Sequence, residues 1–184
     1  MKKVVLLGDS MMQIGYGARV EDLLGEEYRV WRPEENCRFA AYTLRMLFDK
    51  REQIANADVI HWNNGAWDIC ELFGDGPFTP YEVYEQTMVR IAGILKQNAK
   101  RVIFATTMLP RPENPHNHAD VIKSYNDRIC RVLAPRNVEI NDLCALTEGD
   151  LTRYIRGDDL IHLTDAGIEV CAEQVVRLIR EENR

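Results

Sequence analysis

Apolar positions along this chain follow two rhythms, short continuous or alternating runs and longer stretches with a helical period, and the switches between them outline its elements. Residues 4–7 are four consecutive apolar positions that run straight into Gly8-Asp9-Ser10. That pattern predicts a buried strand ending in a tight polar turn. Residues 28–31 alternate apolar and charged side chains like a second strand, which Pro33 stops. Residues 58–62, 101–106 and 138–140 predict three more strands. Helical spacing predicts helices over 18–24, closed by Gly25, and over 39–48, 81–97 and 120–133. A last helix, capped by Thr164, runs to about Glu182 with Val170, Gln174 and Leu178 on successive turns. Residues 142–146 predict a helical turn. Residues 72–80 and 108–118 predict loops, as do 11–17, where Gly15 and Gly17 would let the chain over Ser10 move.

Strand and helix alternate throughout, which predicts an α/β fold: a parallel sheet covered on both faces through right-handed crossovers. With 184 residues there is material for one well-filled core, so residues 1–184 are expected to form a single domain. Hydrophobic residues make up 46% and charged ones 28%, the balance of an ordinary globular chain rather than a disordered one.

Charge and cysteine content narrow the partners. The net charge is -6 and the basic residues are scattered, which argues against nucleic acid and for an uncharged substrate. No apolar run approaches the roughly 20 residues that cross a bilayer, and no leader-like h-region is present, so a cytoplasmic location with no membrane partner is expected. Cys37, Cys70, Cys130, Cys144 and Cys171 are odd in number, widely spaced and without a CxxC pair. They read as reduced thiols, mostly core, and not as a disulfide framework or a zinc site.

The candidate chemistry lies at strand ends. In open parallel sheets the carboxyl edge collects loops and helix N-termini, and ligands bind there. Ser10 falls on that edge and is the candidate nucleophile, although Gly-Asp-Ser alone is also ordinary turn chemistry. A base has to come from elsewhere. His162 stands just before the Thr164 cap, with Asp159 three residues earlier. Folding back, the acid meets one ring nitrogen and leaves the other to take a proton from Ser10, as in a serine-histidine-aspartate triad. Asp158 is the second choice for the acid. Donors for a tetrahedral oxyanion are expected from the Ser10 N–H, from an N–H within residues 36–41, and from the side-chain amide of Asn63 or Asn64.

Gly8-Asp9-Ser10 near the start, a strand-end asparagine in the middle and Asp159-x-x-His162 near the end together resemble the GDSL or SGNH hydrolases, in the right order along the whole chain. The resemblance implies a three-layer α/β/α sandwich with a five-stranded parallel sheet, flavodoxin-like. It also implies acyl-ester hydrolysis through an acyl-enzyme, with no cofactor and no metal. The family's nucleophile maps onto Ser10 and its acid and base onto Asp159 and His162. Two blocks depart from the common pattern. Where many members have a glycine donating its N–H, this chain has Asn36-Cys37-Arg38-Phe39-Ala40-Ala41, leaving Arg38 or Ala41 as the donor, with Ala41 the working assignment. Where many read Gly-x-Asn-Asp, this one reads Asn63-Asn64-Gly65-Ala66-Trp67-Asp68, like a branch whose loop opens on asparagine, which favours Asn63.

The expected activity is a serine esterase for short acyl esters, with O-acetylated carbohydrate as the substrate suggested by family analogy. Thioester hydrolysis and acyl transfer would use the same residues. His116 and His118 with Asp120 nearby offer a weaker, metal-dependent phosphoesterase reading. A non-catalytic binding domain would have no need of a nucleophile and an oriented base. His61 is expected beneath the site, and Met11, Met12, Trp67, Phe73 and Phe78 are candidates to line a substrate pocket.

Overall fold

The computed structural model describes residues 1–181. Five strands, β1 (Lys2–Leu7), β2 (Tyr28–Trp31), β3 (Ala57–Asn63), β4 (Ala99–Ala105) and β5 (Glu139–Asn141), form one parallel sheet in the order β2-β1-β3-β4-β5. Around it, in chain order, are the helices α1 (Gly17–Leu24), α2 (Ala40–Asp49), α3 (Arg51–Ile54), α4 (Ala66–Ile69), α5 (Tyr81–Asn98), α6 (Ala119–Leu133), α7 (Leu143–Thr147), α8 (Leu151–Tyr154) and α9 (Asp165–Arg180).

Side chains on a strand point alternately to its two faces. Val5, Leu7, Ile60, Trp62, Val102 and Phe104 therefore pack on one side with Met88 and Ile91 of α5 and Ile122 and Ile129 of α6. Val4, Leu6, Val59, Ile103 and Ala105 pack on the other with Val20 of α1 and Ala172 and Val175 of α9. Because both faces are covered, the central strands read as continuous apolar runs instead of alternating ones. The order reverses at β1 and β3, whose register pairs Leu7 with Trp62. The residues just after both strands thus face one crevice at the carboxyl edge, the place where such sheets bind ligands.

The expected five-stranded, three-layer α/β/α architecture is present. Strand ends differ from expectation by one or two residues; β3 extends through Asn63 because its pairing to β4 continues to Ala105. Residues 11–17 are a correction: they are wound into a helical turn, Met11–Tyr16, that leads into α1. The Asp9 carbonyl takes the N–H groups of Met12 and Gln13, and its side chain takes that of Met11, so the turn is nucleated by the residue before the serine. Gly17 is required by close packing: a Cβ on it would lie 2.6 Å from the Met12 carbonyl oxygen. The short helices α3, α4 and α8 have too few turns to leave a periodic signal. α9 is described to Arg180, and its expected end at Glu182 lies outside the described residues.

Candidate active site

Ser10 follows β1 at the head of the 11–16 turn, and its Oγ lies 2.9 Å from Nε2 of His162, 152 positions away in the sequence. The histidine is held by a compact turn. Leu160 has φ 66, a left-handed conformation that costs a non-glycine residue free energy and tends to persist at functional sites. With the chain so turned, Asp159 Oδ1 accepts the backbone N–H groups of Ile161 (3.1 Å) and His162 (2.9 Å), while Oδ2 reaches the ring Nδ1 at 3.0 Å. The turn is closed by Arg156 N–H to the His162 carbonyl and Thr164 N–H to the Tyr154 carbonyl. Its exit is fixed by Thr164, whose hydroxyl accepts the Gly167 N–H and caps α9.

Burial works to raise the Asp159 pKa, but the two N–H groups and the imidazole outweigh it and hold the carboxyl at about 2. An ionised carboxylate only accepts, so Nδ1 carries the ring proton and Nε2 presents its lone pair to the Ser10 hydroxyl. Asp158 points elsewhere: both its oxygens are engaged by Arg156, which also approaches Asp159 at 3.5 Å.

Across the serine the arrangement draws on residues distant in sequence, and its asparagines are buried. Asn64 is fully buried; its Oδ1 accepts Trp62 Nε1 at 2.7 Å and its Nδ2 donates to the Arg38 carbonyl at 3.0 Å. The oxygen and one of the two N–H groups of that amide are thereby engaged. The Arg38 N–H is engaged too, by Asn36 Oδ1 at 2.6 Å, in a left-handed turn with φ 52. Ala40 donates its N–H to Asp68 Oδ2 at 2.9 Å. Ala41, in the first turn of α2 and not in a loop, has an N–H with no partner among the described residues, as expected of a helix start. The Ser10 N–H is likewise without a partner among them.

Asn63, nearly buried, lies over Gly8: a Cβ there would fall 2.0 Å from Asn63 Oδ1, so the glycine of Gly-Asp-Ser makes room for this amide. Tyr16 donates its hydroxyl to the same Oδ1 at 3.2 Å. Burial raises the Asp9 pKa, while the Asn63 side chain and the Met11 N–H draw it back. Asp9 Oδ2 nonetheless has no hydrogen-bond partner of normal geometry. Burial also pushes Asp68 up to about 6.

A cavity of about 380 Å³ opens beside Ser10 and His162. Met11, Ile14, Leu163 and Ile168 line it with apolar side chains, and Arg156, Thr164 and Asp165 with polar ones. Met11 thus lines the space expected of it, whereas Met12 does not: it is wholly buried in the core against α1 and α9. Trp67, Phe73 and Phe78 are exposed on the opposite side, where Phe78 packs on Phe39 at 5.7 Å between ring centres. His61 is buried beneath the site, its pKa pushed down to about 3 by burial, with Nε2 3.1 Å from Asn141 Nδ2. His116 and His118 sit apart from these residues, facing the Glu71 carbonyl (3.1 Å) and carboxylate (3.8 Å). Among the described residues no group of three or more His, Cys, Asp or Glu is arranged to hold a metal ion. The five thiols are unpaired, with Cys37, Cys144 and Cys171 buried.

Sequence reasoning missed Tyr16, Asp68 and Arg156. Tyr16 hid inside a stretch read as a loop, and Asp68 acts on a residue 28 positions away. The alternating Arg156-x-Asp158 spacing was the one local sign of that ion pair.

No protein-family model matches the chain, and no curated protein matches it in sequence. Solved structures do match. A lipase/acylhydrolase from Enterococcus faecalis shares 20% identity at a TM-score of 0.79, over 97% of this chain and 95% of that one. An acetyl xylan esterase shares 22% at 0.76, over 96% and 99%. An acetylxylan esterase from Geobacillus stearothermophilus shares 19% at 0.78, over 98% and 95%. At these identities the likeness is one of fold, and it extends over nearly the whole chain: this protein has the three-layer α/β/α architecture of these lipase and esterase structures.

Proposed function

We propose that the protein is a serine ester hydrolase acting on short acyl esters, with O-acetylated carbohydrate as its substrate class. The observation that carries this reading is the unbroken chain of contacts from Ser10 Oγ to His162 Nε2 to Asp159 Oδ2. Its support from likeness is that the structures sharing the fold include two named acetylxylan esterases.

In this mechanism His162 Nε2 takes the Ser10 proton as Oγ attacks the ester carbonyl. Asp159 stabilises the imidazolium and fixes its tautomer. The oxyanion receives the N–H groups of Ser10 and Ala41 and the side-chain amide of Asn63. On collapse the alkoxide leaves with the proton from Nε2, so the alcohol must depart on the histidine side, toward the cavity between Ile14, Ile168, Arg156 and Asp165. Water, deprotonated by the same nitrogen, then releases the acid and restores Ser10. A cavity lined by both apolar and polar side chains suits a ring that is apolar on its faces and hydroxylated at its rim.

The test is hydrolysis of p-nitrophenyl esters from acetate to octanoate, and of acetylated xylo-oligosaccharides, by wild type and Ser10→Ala, with and without a chelator. Turnover fastest on acetyl esters, indifferent to the chelator and lost in Ser10→Ala is expected. Turnover that the chelator removes and Ser10→Ala keeps would overturn the serine mechanism.

A further inference from the structure

A side-chain amide used as an oxyanion donor has a problem that a backbone N–H does not. Its two ends are nearly the same shape, and rotation by half a turn replaces the donor with an acceptor that would repel the oxyanion. Its neighbours must decide which end faces the serine. Asn63 is surrounded by groups that do so.

We propose that Tyr16 is a positioning residue of the oxyanion hole, its buried hydroxyl holding Asn63 Oδ1 over Gly8 so that Nδ2 is the end presented to Ser10. The proposal rests on the reading of Asn63 as an oxyanion donor. The Tyr16 side chain is fully buried and its ring packs edge-on against His61, with centres 5.9 Å apart and planes at 89°. It therefore has no freedom to follow a rotating amide. Among the described residues, Asn63 Oδ1 is the only hydrogen-bond partner of the Tyr16 hydroxyl. If the amide were reversed, the hydroxyl would have to accept from Nδ2 and its own proton would be buried without an acceptor, an arrangement that is costly.

The Asp9 carboxyl beside Asn63 works in the same direction, since the Asn63 amide nitrogen is a hydrogen-bond donor to it. Burial pushes the Tyr16 pKa well up, so the hydroxyl remains a donor throughout the pH range in which the enzyme would act. Gly8 completes the slot, because any Cβ there would occupy the position of Oδ1. Two residues of the Gly-Asp-Ser motif and one tyrosine from the following turn thus enclose one amide.

The experiment is a double-mutant cycle on kcat with p-nitrophenyl acetate, using Tyr16→Phe, Asn63→Ala and the pair, each checked for folding by thermal unfolding. Asn63→Ala is expected to lower kcat by about 10²-fold to 10³-fold. Tyr16→Phe is expected to lower kcat about tenfold with KM little changed, since the interaction is made in the transition state. The double variant should then be no slower than Asn63→Ala, because the tyrosine acts only through the amide. A merely structural tyrosine would slow the Asn63→Ala enzyme as much as it slows wild type, and that additivity overturns the proposal. So does a full rate in Tyr16→Phe. As a second measurement, the Asn63 side-chain amide proton resonance in wild type should move downfield when a phosphonate adduct is formed on Ser10, and an unmoved resonance would also overturn it. Activity that persists in Ser10→Ala would instead overturn the proposed function itself, so the two failures are distinct.

Discussion

On one side of Ser10 the proposed base and acid, His162 and Asp159, stand three residues apart in a partly exposed turn, held by hydrogen bonds that the turn makes within itself. On the other side, Asn63 and the start of α2 are held by long-range contacts spanning 26 to 47 positions: Arg38 with Asn64, partly buried, and Ala40 with Asp68 and Tyr16 with Asn63, both buried. One side is a local structure delivered to the site as a unit by the α9 cap. The other has no local structure of its own and exists only once β1, β3 and α2 have come together. The contrast separates two ways of placing a catalytic group. In the proposed mechanism the base, which must gain and lose a proton, sits beside an ionised partner in a partly exposed turn, while the amide proposed to meet the anion, Asn63, is buried, where a donor reorganises least.

The largest effect that would break this contrast is at the local side. Asp159→Asn keeps the shape of the turn and removes the charge that fixes the ring tautomer, so kcat should fall by about 10⁴-fold with the fold intact. Steady-state kinetics on an acetyl ester checks it. A loss of only a few-fold would mean that the turn, and not the carboxylate, orients His162.

The buried side should announce itself in stability. Asp68 titrates at about 6 when folded against 3.8 unfolded, so the native state holds its proton more tightly, and ionising it above that pH penalises folding. The protein therefore gains stability from this group as pH falls from 7 to 5, by about 1 kcal/mol. Asp159, at about 2 in the native state, stabilises above 3.8 and loses that contribution only as pH falls toward 2, so it adds no slope between pH 5 and 7. Urea unfolding of Asp68→Asn at the two pH values should show a smaller difference than wild type. An unchanged difference would place the titration elsewhere, and Asp9, also raised by burial, is the group to replace next.

Smallest of all, Asp158→Asn should change kcat/KM by less than about threefold, because its partner is an exposed arginine and such pairs are weak. A loss comparable to that of Asp159→Asn would reassign the acid.

The same contrast explains what was legible in the sequence. The strand-helix alternation is a local signal repeated over the chain, so the layers and the parallel sheet could be read directly. Asp159 and His162 were legible because an i, i+3 pair before a helix cap is a local geometry. Asn63 against Asn64, and Arg38 against Ala41, were not separable in the sequence, because the bonds that distinguish their surroundings come from Trp62, Asn36 and Tyr16 in a packing that no spacing encodes. Residues 11–17 were read as a loop because Gly15 and Gly17 outweighed Met11, Met12 and Tyr16. Those three are buried, and Gly17 sits where a side chain would collide with Met12.

The central claim is that Ser10 is a nucleophile activated by His162 from the far end of the chain. Its most direct test is labelling with an aryl phosphonate, mapped by mass spectrometry of the digested protein. One phosphonyl group on the peptide bearing Ser10 in wild type, and none in His162→Ala under the same conditions, is the predicted result. A label on another residue, or equal labelling of Ser10 with and without the histidine, would contradict it.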